Sequence, residues 1–174
     1  MEEIIRMQDN LLLIRRAVGW TAEEFGEKIG VTRQTINNIE SGRNKLTKTQ
    51  YIAMRSVLEA EMIQEPEETQ MLRVLLEVLI DNPEKYSEEK RNELRTKANI
   101  MAPSILAGTA TRAEVSKELL VIAGLVLGSS ISAILGPIGV GIGALLAPSK
   151  ASTSLLAGSW LLKAISDTTK KAKK

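Results

Sequence analysis

The chain of 174 residues contains no cysteine and no histidine. Without thiols there is no disulfide and no thiolate nucleophile, a composition compatible with a reducing cytoplasm. Without imidazoles, the commonest acid–base group and a principal zinc ligand are missing. No GxxxxGK[ST] loop occurs; the one glycine-rich run, at Gly139, Gly141 and Gly143, lacks the lysine and runs into Ala and Leu. Residues 60–174 show almost no period-two alternation, so a strand-rich domain is not expected there. The opening MEEIIRMQDN is acidic and short of apolar residues, which does not fit a secretory signal. These absences exclude most enzyme chemistry, and no catalytic residue, cofactor, metal or small-molecule substrate is expected.

Net charge is only +2, but its distribution is uneven. Residues 1–58 carry nine Lys/Arg against seven Asp/Glu, 59–93 carry four against eleven, and 94–174 carry ten against three. A mildly basic head can still bind a polyanion if its cations share one face.

What is present is concentrated in Thr21 to Gly42, TAEEFGEKIGVTRQTINNIESG. Thr21 suits a helix N-cap, with Glu24 as capping-box partner. Phe25 and Ile29, four apart, put an apolar stripe inward. Gly30 sits where the chain leaving a helix needs positive φ, and Val31 plugs the corner behind it. Thr32 then caps a second helix with Ile36 and Ile39 toward the core. Arg33, Gln34, Asn37 and Asn38 are left pointing out, and Ser41-Gly42 ends the element. Arg matches the hydrogen-bonding edge of guanine, and Gln and Asn match that of adenine. A solvated face of a small helical domain is the plainer alternative, but turn glycine, buried positions and polar face all fall at helix-turn-helix spacing.

From Ile14 to about Leu58 the chain resembles the phage repressor/Cro (Xre-type) helix-turn-helix family, a five-helix DNA-binding domain, with EKIGVTRQTINNIESGR as the specific stretch. The resemblance implies that Arg33, Gln34 and Asn38 read bases. It sets Thr35, Arg43 and Lys45 against the DNA backbone, with Thr32 and Asn37 beside them. It also implies an ion pair between Arg15 and Glu40. Ala22 stands where many members have a phosphate-gripping Gln, so that contact is lost. Gly26 replaces a small Ala, keeping the close helix approach at lower helix propensity. Some relatives carry a Ser/Lys self-cleaving domain cut at an Ala-Gly bond, such as Ala107-Gly108; that domain is strand-rich and is not expected here.

Along the rest of the chain, residues 7–18 form the first helix, with Leu11, Ile14 and Val18 on one face and Trp20 closing it into the core. Arg43, Asn44 and Lys45 make a polar loop after the recognition helix. Thr47 caps a helix to about Met62. Glu65-Pro66-Glu67-Glu68 marks a boundary. Residues 68–81 form a helix apolar around most of its girth, with Gln70, Arg73, Glu77 and Asp81 on one stripe. It must be covered on several sides, and Leu72, Leu75, Leu76 and Leu79 meet either a second copy of the chain or the C-terminal region of the same one. Ser87 caps a charged, exposed helix over 87–100, residues 102–111 are weakly patterned, and Thr111 opens another helix.

From Leu119 to Ser149 there are thirty-one residues without a formal charge. Leu119 to Gly136, as one helix of about 27 Å, just crosses a bilayer. Gly124, Gly128, Ser132 and Gly136 recur every four residues, the pattern of closely packed helices in membranes or oligomers. A second apolar piece, Leu155 to Ile165, carries Trp160 and Lys163 and leads to Lys170, Lys171, Lys173 and Lys174. Three arrangements fit: a membrane hairpin with head and tail on the cytoplasmic side, a soluble hairpin inside an oligomer, or a segment lying on the membrane with the tail against anionic lipid.

The expected protein is all-α: a five-helix repressor-like DNA-binding head at 1–64, a helical connector or oligomerisation region at 65–112, and an apolar glycine-rich hairpin with a Lys-rich tail at 113–174. The expected function is sequence-specific transcriptional regulation, as a repressor acting as a homodimer or higher oligomer. The expected partners are double-stranded DNA, further copies of the chain and membrane lipid, in the cytoplasm or on the inner face of its membrane. The alternative is a membrane-associated or self-assembling structural protein whose head makes protein contacts or non-specific DNA contacts.

Overall fold

A computed structural model describes residues 2–135. Helix α1 spans Glu2–Ala17, starting before the expected residue 7. Glu2 and Glu3 in its first turn oppose the positive end of the helix dipole, and Met7 and Leu11 in the next turns are fully buried. Three helices complete the first sixty-odd residues: α2 (Ala22–Ile29), α3 (Arg33–Glu40) and α4 (Lys48–Gln64). Residues 2–64 thus hold four helices, and the next, α5 (Gln70–Leu76), begins after residue 64.

Every side chain in the set Met71, Leu72, Val74, Leu75, Leu76, Val78, Leu79 and Ile80 is buried. The girdle of apolar residues is covered by α1, α4, α8 (Arg112–Leu127) and α9 (Ser130–Leu135). Leu72, Leu75, Leu76 and Leu79 therefore meet the same chain rather than a second copy, the other of the two covers considered for them. Past Leu76 the helix widens into a π turn over Glu77–Asp81, closed by the Asn82 amide on the Glu77 carbonyl at 2.9 Å. A short 3-10 turn, Pro83–Lys85, leads to α6 (Glu88–Met101). That charged helix is not wholly exposed: Leu94, Ala98 and Met101 are buried, on the side where it packs with α8. Residues 102–111 hold the short α7 (Pro103–Leu106), with proline at a first-turn position where its missing N–H costs nothing.

Two contacts distant in sequence lock this second layer. The Ser116 hydroxyl, wholly buried in α8, accepts a hydrogen bond from the Met71 amide at 3.0 Å. It satisfies a first-turn N–H of α5 that no side chain at Thr69 reaches, since the Thr69 hydroxyl donates backward to the Glu65 carbonyl at 2.6 Å. Arg112 joins Glu61 of α4 at 2.6 Å, Glu68 at 2.7 Å and the Val18 carbonyl at 3.1 Å, fastening the start of α8 to the head.

Leu119 to Gly136 is not one helix. Gly128 takes φ of +63° and ends α8, and a separate helix, α9, starts at Ser130. Gly124 is buried, Gly128 forms the break and Ser132 is exposed, so these three do not line one groove. Among the described residues no helix is long and apolar enough to cross a membrane, and none contains a strand. Gly136, the 155–165 piece with Trp160 and Lys163, and the lysine tail lie outside the described residues.

Candidate nucleic-acid interface

The α2–turn–α3 unit is built from local chemistry. The Thr21 hydroxyl accepts from the Glu24 amide at 3.1 Å, while the Glu24 carboxylate accepts from the Thr21 amide at 2.7 Å. The Thr21 amide, then its hydroxyl, hold the Glu24 carboxyl below the usual carboxylate range. Helix α2 ends at Gly30 with φ of +73°, as positive-φ chemistry requires. The Val31 amide then turns back to the Gly26 carbonyl at 2.9 Å. At Gly26 the backbones come so close that a Cβ would stand 2.6 Å from the Val31 carbonyl oxygen. The glycine is thus required by the approach itself, and even alanine would force the turn to shift.

Thr32 caps α3 by accepting from the Thr35 amide at 3.2 Å. Ile36 and Ile39 are buried, which fixes the helix's rotation. Arg33, Gln34 and Asn37 are exposed and Asn38 half-buried on the opposite face. Gln34 donates to the Asn38 side-chain oxygen at 2.9 Å. The pair is held together one helical turn apart and leaves the Gln34 oxygen and the Asn38 amide nitrogen uncommitted at its edge. Thr35, expected at the backbone, has its hydroxyl 3.0 Å from that of Thr32. Arg43 and Lys45, also expected there, are exposed on the loop that follows and make no ion pair among the described residues.

The expected ion pair forms. Arg15 meets Glu40 through two prongs, at 2.6 and 3.1 Å, and also donates to the Trp20 carbonyl at 2.8 Å. Both side chains are about nine-tenths buried. The pair ties α1 to the end of α3 and neutralises that helix's only carboxylate, so the outward face carries cations and amides without an opposing acid. Trp20 is core, as expected, packed on Phe25 with centroids 5.6 Å apart and with Lys28 over its ring at 4.4 Å.

A residue not singled out in the sequence organises the loop. Gln8 of α1 donates to the Ile39 and Asn44 carbonyls at 3.0 and 2.8 Å and accepts from the Leu46 amide at 3.0 Å. Its partners lie 31 to 38 residues away, and no local pattern points to them. The arrangement presents one short polar helix followed directly by an exposed basic loop, features suited to a groove edge and its flanking phosphates.

Comparison with known proteins agrees with this geometry. Residues 11–61 match a family model described as helix-turn-helix. Among curated proteins, the antitoxin HipB of Escherichia coli (strain K12) is 32% identical over 57 residues, which are 33% of this chain and 65% of that protein. The chain thus spans just under two thirds of that relative's length. No solved structure matches it.

Proposed function

We propose, since residues 11–61 match a helix-turn-helix family model, that the protein is a sequence-specific DNA-binding regulator of transcription that acts as a repressor. Arg33, Gln34 and Asn38 read base edges in the major groove. Thr32, Thr35, Asn37, Arg43 and Lys45 contact the sugar–phosphate backbone and set the helix's register. The observation that carries this reading is the outward face of α3: three exposed polar side chains and the Gln34–Asn38 pair, on a helix whose opposite face is locked by Ile36, Ile39 and the Arg15–Glu40 ion pair.

An eight-residue helix is about 12 Å long and covers only one half-site. We therefore place two copies on a two-fold operator, with half-sites about 34 Å apart. Selection of bound duplexes from random DNA tests the proposal. Recovery of an inverted repeat with that spacing is the expected result, whereas an unenriched pool would point to non-specific binding and reject it.

A further inference from the structure

The charged stripe of α5 takes no part in the DNA reading, yet it is the only polar face of an otherwise buried segment. Arg73, Glu77 and Asp81 line a hollow of about 390 Å³ between α4, the α5 segment and α9. Its two carboxylates are already answered. Asp81 lies 3.1 Å from the Arg55 guanidinium. Glu77 lies 3.4 Å from the Lys85 ammonium and accepts from Asn82 at 2.9 Å. Arg73 makes no ion pair among the described residues. The lining therefore holds three cations against two acids, and the unmatched charge is that of Arg73.

The rest of the wall is divided between apolar surface, from Met62, Leu76 and Ile134, and the hydroxyl-bearing Tyr86 and Ser130. Burial, then the nearby Glu77, push the Tyr86 pKa up, so its hydroxyl stays a donor. The backbone at the hollow is the π turn of Glu77–Asp81, a distortion that recurs at functional sites. A space of this size, lined about equally by apolar surface and by convergent polar groups, has room for a small organic molecule with one charged end.

We propose that this hollow binds a small organic mono-anion, a carboxylate on an apolar body of about ten to fifteen non-hydrogen atoms, with Arg73 receiving the carboxylate. Arg is the side chain suited to that task, because its planar fork matches two carboxylate oxygens. Met62, Leu76 and Ile134 cover the body of the ligand. Since α4 belongs to the head and α9 to the layer beyond it, an occupant touches both.

Calorimetric titration of the full chain, without DNA, tests this independently of the DNA reading. The probes are 2-naphthoate and octanoate, each against its neutral amide. At least one acid should bind saturably and about tenfold more tightly than its amide. Arg73→Gln should erase that preference while the circular dichroism spectrum and unfolding midpoint stay parental. Ala133→Trp, at an exposed position lining the hollow, should fill it and abolish binding of acid and amide alike. Absence of saturable binding, equal binding of acid and amide, a preference that survives Arg73→Gln, or binding that survives Ala133→Trp would each overturn the proposal.

Discussion

The side-chain amide of Gln8 reaches the backbone carbonyl of Asn44 at 2.8 Å, joining the first helix to the loop behind the recognition helix. With its bonds to Ile39 and Leu46, one side chain binds three backbone groups, one at the end of α3 and two in the irregular loop that follows it. The positions of Arg43 and Lys45 are thus set from α1 as well as by the loop's own bonds, among them the Asn44 amide on the Asn38 carbonyl at 3.0 Å. Gln8→Ala should free the loop and leave these backbone groups to water, at a cost of about 1–3 kcal/mol in stability. DNA affinity should fall with its salt dependence: the slope of log K against log salt should shrink by up to about two, for two phosphate contacts. The preferred sequence should not change. A parental salt slope would show that the loop does not meet phosphate.

Base reading by α3 makes a different prediction. Arg33→Ala and Gln34→Ala should each cost about 1–3 kcal/mol of specific affinity and relax preference at one position of the site. The two should not be equivalent. Gln34 is already bonded to Asn38, so its removal also frees a second reader and should blur an adjacent position, while Arg33 acts alone. Binding measured against a panel of single-base variants of the selected operator separates these outcomes. Unchanged affinity in both variants would reject the assignment.

Which features the sequence discloses depends on how far apart the interacting residues lie. Thr21, Thr32, Thr47, Ser87 and Thr111 all cap helices where their local patterns place them, because a cap needs only three or four neighbouring residues. The Arg15–Glu40 pair is legible only through the family resemblance. Ser116 on Met71, Arg112 on Glu61 and Glu68, and Gln8 on its loop are not legible at all, because their partners are 31 to 51 residues distant. Periodicity also misleads where one residue suits two roles. Gly124, Gly128 and Ser132 recur at helical spacing, but glycine at 128 permits the positive φ that ends the helix, and the folded chain uses it that way. The apolar girth of residues 68–81 requires cover on several sides without saying which molecule provides it.

Gly26 offers a test of how tightly the two helices of the DNA-binding unit are joined. A methyl group there would sit 2.6 Å from the Val31 carbonyl oxygen, a backbone atom that cannot rotate away. Gly26→Ala gains helix propensity of up to about 1 kcal/mol, but forcing the turn apart costs typically about 1–3 kcal/mol. Net destabilisation in urea unfolding is expected, with a loss of DNA affinity because α3 moves with the turn. A variant more stable than the parent would show that the turn yields freely.

Acid should weaken the caps. Glu24 and Glu114 have pKa values lowered from the ordinary 4.5, each through hydrogen bonds from the amide and then the hydroxyl of the capping threonine. A carboxyl whose folded pKa is depressed adds stability above its unfolded value, and that contribution is lost as pH falls through the folded one. Asp81 and Glu118 have the opposite sign: burial raises both, so their contribution is present at low pH and lost as pH rises through their folded values. The whole protein's acid response therefore mixes the two, and only a variant isolates the caps. Glutamine keeps capping-box geometry without a charge, so Glu24→Gln with Glu114→Gln should lower the unfolding midpoint near pH 6 relative to the parent. As pH falls below the lowered folded pKa values of the two carboxyls, the two proteins should converge, because protonation then removes the parental charges. A midpoint difference that holds constant across that range would mean that the carboxylates contribute nothing through their ionisation.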